Sequence, residues 1–173
     1  MKQKIFSLMC MIMLVVSAQA QTTVTKNPKI TAFTTPDLAL CELKGHVKSD
    51  GSNNFTREGR LVVDEFFGYS VDRDENGVIV NMSNERYFFE YNPAKTVLSK
   101  IIRSDGSETT FLYNENGICV SRVEDQYDVN GKKIKKSKKY SYTQIKLDSK
   151  GNWISRVLDG NKETRTITYW DEN

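Results

Sequence analysis

The chain has 173 residues, 27% of them charged, with 25 Lys and Arg against 22 Asp and Glu and a single histidine. That length suits one domain with a sizeable core. The near balance of charge excludes the strongly basic profile of a nucleic-acid binder, and three cysteines are too few for a disulfide scaffold.

Residues 1–20 read as a signal peptide. Lys2 and Lys4 give a positive start, residues 5–16 form an apolar run, and Ser17-Ala18-Gln19-Ala20 supplies a small-x-small cleavage site between Ala20 and Gln21. The run is too short to span a bilayer comfortably, and no second stretch of membrane length follows. The expectation is export to the periplasm or the exterior, with no transmembrane segment in the mature chain. Removing the two leader lysines leaves 23 basic residues against 22 acidic, a net of +1. No nucleic-acid partner is expected.

Residues 21–37 open with "QTTVTKNPKITAFTTP", Thr-rich and holding two of the three prolines, and read as a polar lead-in or tether. The domain proper is expected over 38–173. There, short runs of Val, Ile, Tyr, Phe and Thr alternate with clusters of Asn, Asp, Gly and Ser. No segment sustains the i, i+3, i+4, i+7 apolar spacing of an amphipathic helix. Strands are predicted at 38–47, 60–71, 77–82, 86–91, 97–103, 108–113, 117–124, 133–147, 152–158 and 163–170.

Two classes of corner separate them. The longer class comprises Asp72–Gly77, Asn92–Thr96, Asn114–Gly117 and Asp148–Gly151, of which "NENG" suits a type I turn closed by a left-handed glycine. The shorter class is Ser83-Asn84, Asp105-Gly106, Asn130-Gly131 and Asp159-Gly160, whose Asn-Gly and Asp-Gly pairs fit the positive φ values of a type I′ turn. Strands joined only by tight reversals pair with their sequence neighbours. The fold class is therefore all-β: a single antiparallel meander of about ten strands, wide enough to curl or form a half-barrel.

Alternation by two marks the buried face through Tyr87, Phe89 and Tyr91, through Thr109, Phe111 and Tyr113, and through Ile167 and Tyr169. The strand at 133–147 changes phase between Tyr140/Tyr142 and Ile145/Leu147, which predicts a β-bulge near Thr143-Gln144.

Chemistry-bearing constellations are scarce. His46, the one histidine, stands in "KGHVKS" with no nucleophile motif, and no zinc, P-loop or cofactor signature occurs. No catalytic residue, metal or cofactor is expected. The adjacent acids Asp64-Glu65, Glu124-Asp125 and Asp171-Glu172 alternate faces on a strand and do not converge. Cys41 and Cys119, the two cysteines left after the leader, either form one disulfide or serve as buried thiols. The run "KKIKKSKKY", with Lys135, Lys136, Lys138 and Lys139, reads either as a polyanion contact or as charge that blunts a protruding hairpin's edges. Tyr140, Tyr142 and Trp153 either stack on sugar rings or fill the core, and their spacing favours the core.

The "YN-x-x-G-x-I" and "DG" corners between aromatic strands resemble the Rhs/YD-repeat class of secreted and surface proteins. The opening "LCELKGHVKS" (40–49) and the closing "DSKGNWISRVLDGNKETRTITYW" (148–170) resemble small exported proteins of Bacteroidetes type. The resemblance covers about 38–170 and is imperfect: Pro93 and Lys95 stand where a glycine is expected, and the repeat spacing is irregular. It implies a hairpin-repeat fold in the bacterial envelope and no particular reaction. The expected function is a non-enzymatic binding or interaction module whose ligand is a carbohydrate or a protein partner. The alternatives are a glycan-acting hydrolase and an inhibitor or immunity-type protein.

Overall fold

The computed structural model describes residues 23–62, 70–83 and 86–171. The leader with its Ala20–Gln21 cleavage site, the acids Asp64 and Glu65, and most of the strand expected at 60–71 lie outside the described residues.

Six corners among the described residues share one hydrogen-bond pattern. At Asn114 the main-chain N–H donates to the Ile118 carbonyl (2.9 Å), and the main-chain carbonyl accepts from the Gly117 N–H (3.0 Å). The side-chain Oδ1 then accepts from the N–H groups of Asn116 and Ile118, each at 3.0 Å. Asp74, Asp128 and Asp148 repeat every one of these contacts with Gly77, Gly131 and Gly151 in the left-handed place. Thr56 uses its hydroxyl on the Arg60 N–H (3.3 Å), with Gly59 closing the turn. At Asn92 the corner is one residue longer, and Lys95 takes the left-handed position at φ 54°. This is a type I turn with a glycine bulge, pinned by an Asx or Ser/Thr side chain.

Asn130-Gly131, expected as a two-residue corner, belongs to this longer class because Asp128 caps it. Asp159-Gly160 is the two-residue corner expected: both residues have positive φ (52° and 81°) and they join the paired Leu158 and Asn161. Ser83-Asn84 lies partly outside the described residues.

Among the described residues the fold is antiparallel β, apart from one helical turn. Helix α1 (Pro36–Leu40) replaces the start of the strand expected at 38–47. The Thr35 hydroxyl caps the Leu38 N–H at 3.2 Å, Pro36 occupies the first turn, and Asp37 follows it. Strands β1 (Val47–Ser49), β2 (Asn54–Phe55) and β3 (Leu61–Val62) come next. The chain then builds β4 (Val71–Arg73), β5 (Ile79–Met82), β6 (Tyr87–Tyr91), β7 (Leu98–Arg103), β8 (Ser107–Tyr113), β9 (Cys119–Gln126), β10 (Lys138–Leu147), β11 (Trp153–Leu158) and β12 (Asn161–Thr164). These nine strands pair in sequence order as one open meander, with β4 and β12 as unjoined edges rather than a closed barrel. The last strand, β13 (Thr168–Tyr169), leaves the meander and pairs with β1, giving a second sheet of order β13-β1-β2-β3. The strand expected at 163–170 is thus two strands in two sheets, and the strand expected from 133 begins at Lys138.

The bulge falls where the phase change placed it. β10 loses register against β11 between Thr143 and Lys146, and Gln144 is left-handed at φ 50°. The predicted face is buried at Thr109, Phe111 and Tyr113, whereas Tyr87 at the sheet's end is exposed. Val97, Leu98, Phe111, Tyr113, Cys119, Tyr142 and Leu158 form the meander core, with Ile30 and Leu40 packed on it. The fully buried Tyr113 satisfies its hydroxyl on the Leu98 carbonyl at 2.6 Å. Leu38, Leu43, Val47 and Phe55 make a second cluster under the small sheet. The stretch expected as a lead-in lies against the domain from residue 23: Thr25 exchanges two main-chain hydrogen bonds with Tyr113, and Pro28 is buried.

Gly117 is both left-handed and crowded, since a Cβ there would stand 1.9 Å from Ile30 Cδ1, whereas Gly131 has open space around it. Gly117→Ala is expected to cost about 2–4 kcal/mol from left-handed strain plus overpacking, against about 1–2 kcal/mol for Gly131→Ala. Urea midpoints of the two variants check the difference.

Candidate functional site

Antiparallel register places directly paired residues on one face of a sheet. Phe89, Ile101, Thr109, Glu124 and Lys138 therefore form a row across β6 to β10, with Phe111, Arg122 and Tyr140 beside it. Thr109 and Phe111 are buried, and exposure grows toward Glu124, Lys138 and Tyr87. Arg103 pairs with Tyr87 across the strands and donates to Thr109 Oγ1 at 3.0 Å.

At the turn end of β7–β10 a groove of about 490 Å³ opens beneath the lysine-rich hairpin. Four cations line it (Arg103, Lys135, Lys136 and Lys138) together with the carboxylates of Asp105, Glu108, Glu124 and Asp125. Three of those carboxylates are held by cations outside the groove. Lys100 reaches Glu108 at 3.0 Å, Arg122 reaches Glu124 at 3.5 Å, and Lys133 reaches Asp125 at 2.7 Å. The Lys133 contact holds the Asp125 carboxyl below its ordinary value. Asp105 is likewise lowered, by the Ser107 hydroxyl and main-chain N–H. Arg103, Lys135, Lys136 and Lys138 have no carboxylate at ion-pair distance among the described residues.

The sequence-predicted binding residues separate into two places. Lys135, Lys136 and Lys138 line the groove, and half-buried Tyr140 adjoins it with Lys138 Nζ 4.5 Å and the Arg122 guanidinium 5.2 Å from its ring. Lys139 pairs with Val123 on the opposite face. Tyr142 and Trp153 belong elsewhere, in a stack with two arginines. The Arg156 guanidinium lies 3.8 Å from the Tyr142 ring and 3.9 Å from Trp153, and Arg165 lies 3.9 Å from Trp153. Both rings are consumed by packing and offer no sugar platform.

That stack clasps the opening segment to the closing one. Trp153 Nε1–H (2.9 Å) and Arg156 (2.5 Å) donate to the Glu42 carboxylate, and Glu42 itself is left-handed at φ 55°. Arg165 donates to the carbonyls of Trp153, Cys41 and Glu42 at 2.7–3.0 Å. Burial lowers the Arg165 guanidinium to about 10, so it remains charged at neutral pH. Buried Asn152 copies a strand partner: its Oδ1 accepts from the Lys44 N–H (2.9 Å), and its Nδ2 donates to the Lys44 carbonyl (2.8 Å) and to the Tyr169 hydroxyl (2.8 Å). Asp37, also missed in the sequence, takes a bidentate Arg73 at 2.7 and 2.9 Å and the Leu61 N–H at 2.7 Å. The "TPD" cap before an apolar run was the local signal for Asp37; nothing local marks its partner 36 residues on.

Cys41 and Cys119 are separate thiols, so the disulfide alternative is corrected: Cys41 ends α1 while Cys119 starts β9 in the meander core. Exposed His46 stacks on Phe33 at 4.1 Å, with no nucleophile as its partner. Among the described residues no three His, Cys, Asp or Glu side chains gather as a metal set, and no helix is long and apolar enough to cross a membrane. No protein-family model matches the chain, and no curated protein matches it.

Burial pushes the Cys41 thiol up to about 12 and the Cys119 thiol higher still. Both stay protonated in the folded protein well above the ordinary thiol range, so the stability this contributes is full below about 9 and is lost as pH rises toward about 12, because the unfolded chain's thiols ionise first. A thiol reagent at pH 8 is expected to leave Cys119 unmodified in the native protein, to label half-buried Cys41 slowly, and to label both rapidly in urea, as mass spectrometry will show. Rapid native labelling would contradict the burial.

Proposed function

We propose that the chain is an exported, non-enzymatic binding module that takes an envelope polysaccharide in the groove beneath the lysine-rich hairpin. The observation that carries this is the charge arrangement at the groove. Cations from outside occupy three of its four carboxylates, and the four lining cations have no carboxylate at ion-pair distance among the described residues: Arg103 rests on the Ser107 and Thr109 hydroxyls and Lys138 on the Tyr140 ring, while Lys135 and Lys136 are exposed. Arg103, Glu108, Glu124 and Lys138 stand on strands β7 to β10, which pair edge to edge, while Lys135 and Lys136 come from the return segment before β10. The signal-like leader supports export, and the repeated capped corner supports kinship with YD-type hairpin proteins.

A glycan hydrolase has one specific observation in its favour: Glu108 and Asp125 face each other across β8 and β9 at the groove. Glycoside hydrolysis needs one carboxyl of such a pair protonated as the general acid. Here Lys133 holds Asp125 in its charged form, shifted downward, and Lys100 lies 3.0 Å from Glu108. Both carboxylates are thus engaged by lysines, which favours the binding reading over an acid–base pair.

A glycan array run beside a pull-down from the native envelope tests the proposal. Retention of polysaccharide is expected, and Arg103→Ala should weaken it by about fivefold to tenfold, the loss of one charge-assisted hydrogen bond. Capture of proteins alone, or of nothing, would overturn it.

A further inference from the structure

The groove carries both signs of charge, and the two signs are not equivalent. Its carboxylates are already turned toward Lys100, Arg122 and Lys133, and the Asp105 oxygen accepts from the Ser107 N–H at 2.9 Å. Such carboxylates retain lone pairs that accept hydrogen bonds from hydroxyl groups and repel anions. Lys135, Lys136 and Lys138 are exposed, follow one another along the hairpin's return, and have no acid at contact distance among the described residues. Ser107 and Gln126 add neutral polar groups to the same walls.

We infer that the groove selects a uronate-type acidic glycan, a ligand with one carboxylate and several free hydroxyls per sugar; this rests on the polysaccharide-binding reading above. Ligand carboxylates meet the lysine row and Arg103, while ring hydroxyls donate to Glu124, Asp105 and the Gln126 amide oxygen. A neutral glycan leaves the lysines without an anionic partner. A polyphosphate supplies anions everywhere and no donors, so the four acids of the groove oppose it. The attraction runs between exposed charges, so added salt screens it over roughly 10 Å at 0.1 M.

The test is calorimetric titration of the full mature chain with three probes: an oligogalacturonate, the same oligomer after carboxyl reduction to its neutral form, and inorganic polyphosphate. The lysines are exposed, so a Lys135→Ser/Lys136→Ser/Lys138→Ser variant is expected to fold, with its circular dichroism melt as the control. The expected result is oligogalacturonate binding that falls at least about tenfold on carboxyl reduction, in the variant, and from low to 0.5 M salt, with polyphosphate at least about tenfold weaker. Equal binding of acidic and neutral oligomers, unaffected in the variant, would overturn the acidic specificity and leave the polysaccharide reading standing. Polyphosphate binding as tight as the uronate would overturn it in favour of a plain polyanion patch. If no glycan on the array or in the titration binds, the polysaccharide reading itself falls.

Discussion

One side-chain oxygen at the head of each longer corner governs this fold. When Asp74, Asn114, Asp128 or Asp148 folds its side chain onto the two N–H groups ahead of it, the chain can only reverse. The glycine three residues on closes the turn in a conformation that other residues enter at a cost of about 1–2 kcal/mol. Each hydrogen bond contributes a net of only about 0.5–1.5 kcal/mol, so the corners matter less as a sum than as a constraint. Repeated along the chain, they leave each strand no neighbour except the next, and the nine-strand order follows. The register that follows places Phe89, Ile101, Thr109, Glu124 and Lys138 in line, and the groove sits at the end of that row.

A meander alone has two open edges and an uncovered face, and a second device completes the molecule. The segment after α1 crosses the meander's apolar face and is fastened from the far end of the chain. Asn152 and Trp153, side by side in sequence, point to opposite sides and grip different atoms of 42–44: Asn152 takes both main-chain groups of Lys44, and Trp153 takes the Glu42 carboxylate. Arg156 and Arg165 then sandwich the indole. Burial of paired charge of this kind fixes which segments meet more than it adds net stability. The "GNW" unit and the "LCELKG" opening are therefore two halves of one joint, which accounts for both being distinctive.

The local part of this architecture was legible and the long-range part was not. "DENG" and "NENG" carry their turn type in four residues, and the phase change between Tyr142 and Ile145 located a real bulge. Thr109, Phe111 and Tyr113 alternate cleanly because one face of β8 is wholly buried. At Pro36–Leu40 "LALCEL" is apolar enough for a strand, but its Thr-Pro-Asp start is a helix cap, and the cap wins. At Asp128 the Asn-Gly pair masks the capping oxygen three places before the glycine, and at Thr56 a hydroxyl does the capping without an Asx residue to mark it. Sequence spacing had no means of showing that Tyr140 borders an open groove while Tyr142, two residues on and of the same parity, is spent on Arg156. Nor did it show the lysine run dividing between two faces, since that depends on where β10 begins.

Amide hydrogen exchange measures the governing constraint directly. The N–H groups of Val78, Val97, Ile118, Lys132 and Asn152 each donate to the oxygen of the residue that heads their corner. Each is expected to exchange at least about tenfold more slowly than in a free chain, and to lose that protection when its own Asp or Asn is replaced by alanine. Exchange at free-chain rates in the intact protein, with Phe111 and its strand neighbours still protected, would show that the corners are not what holds the meander in order.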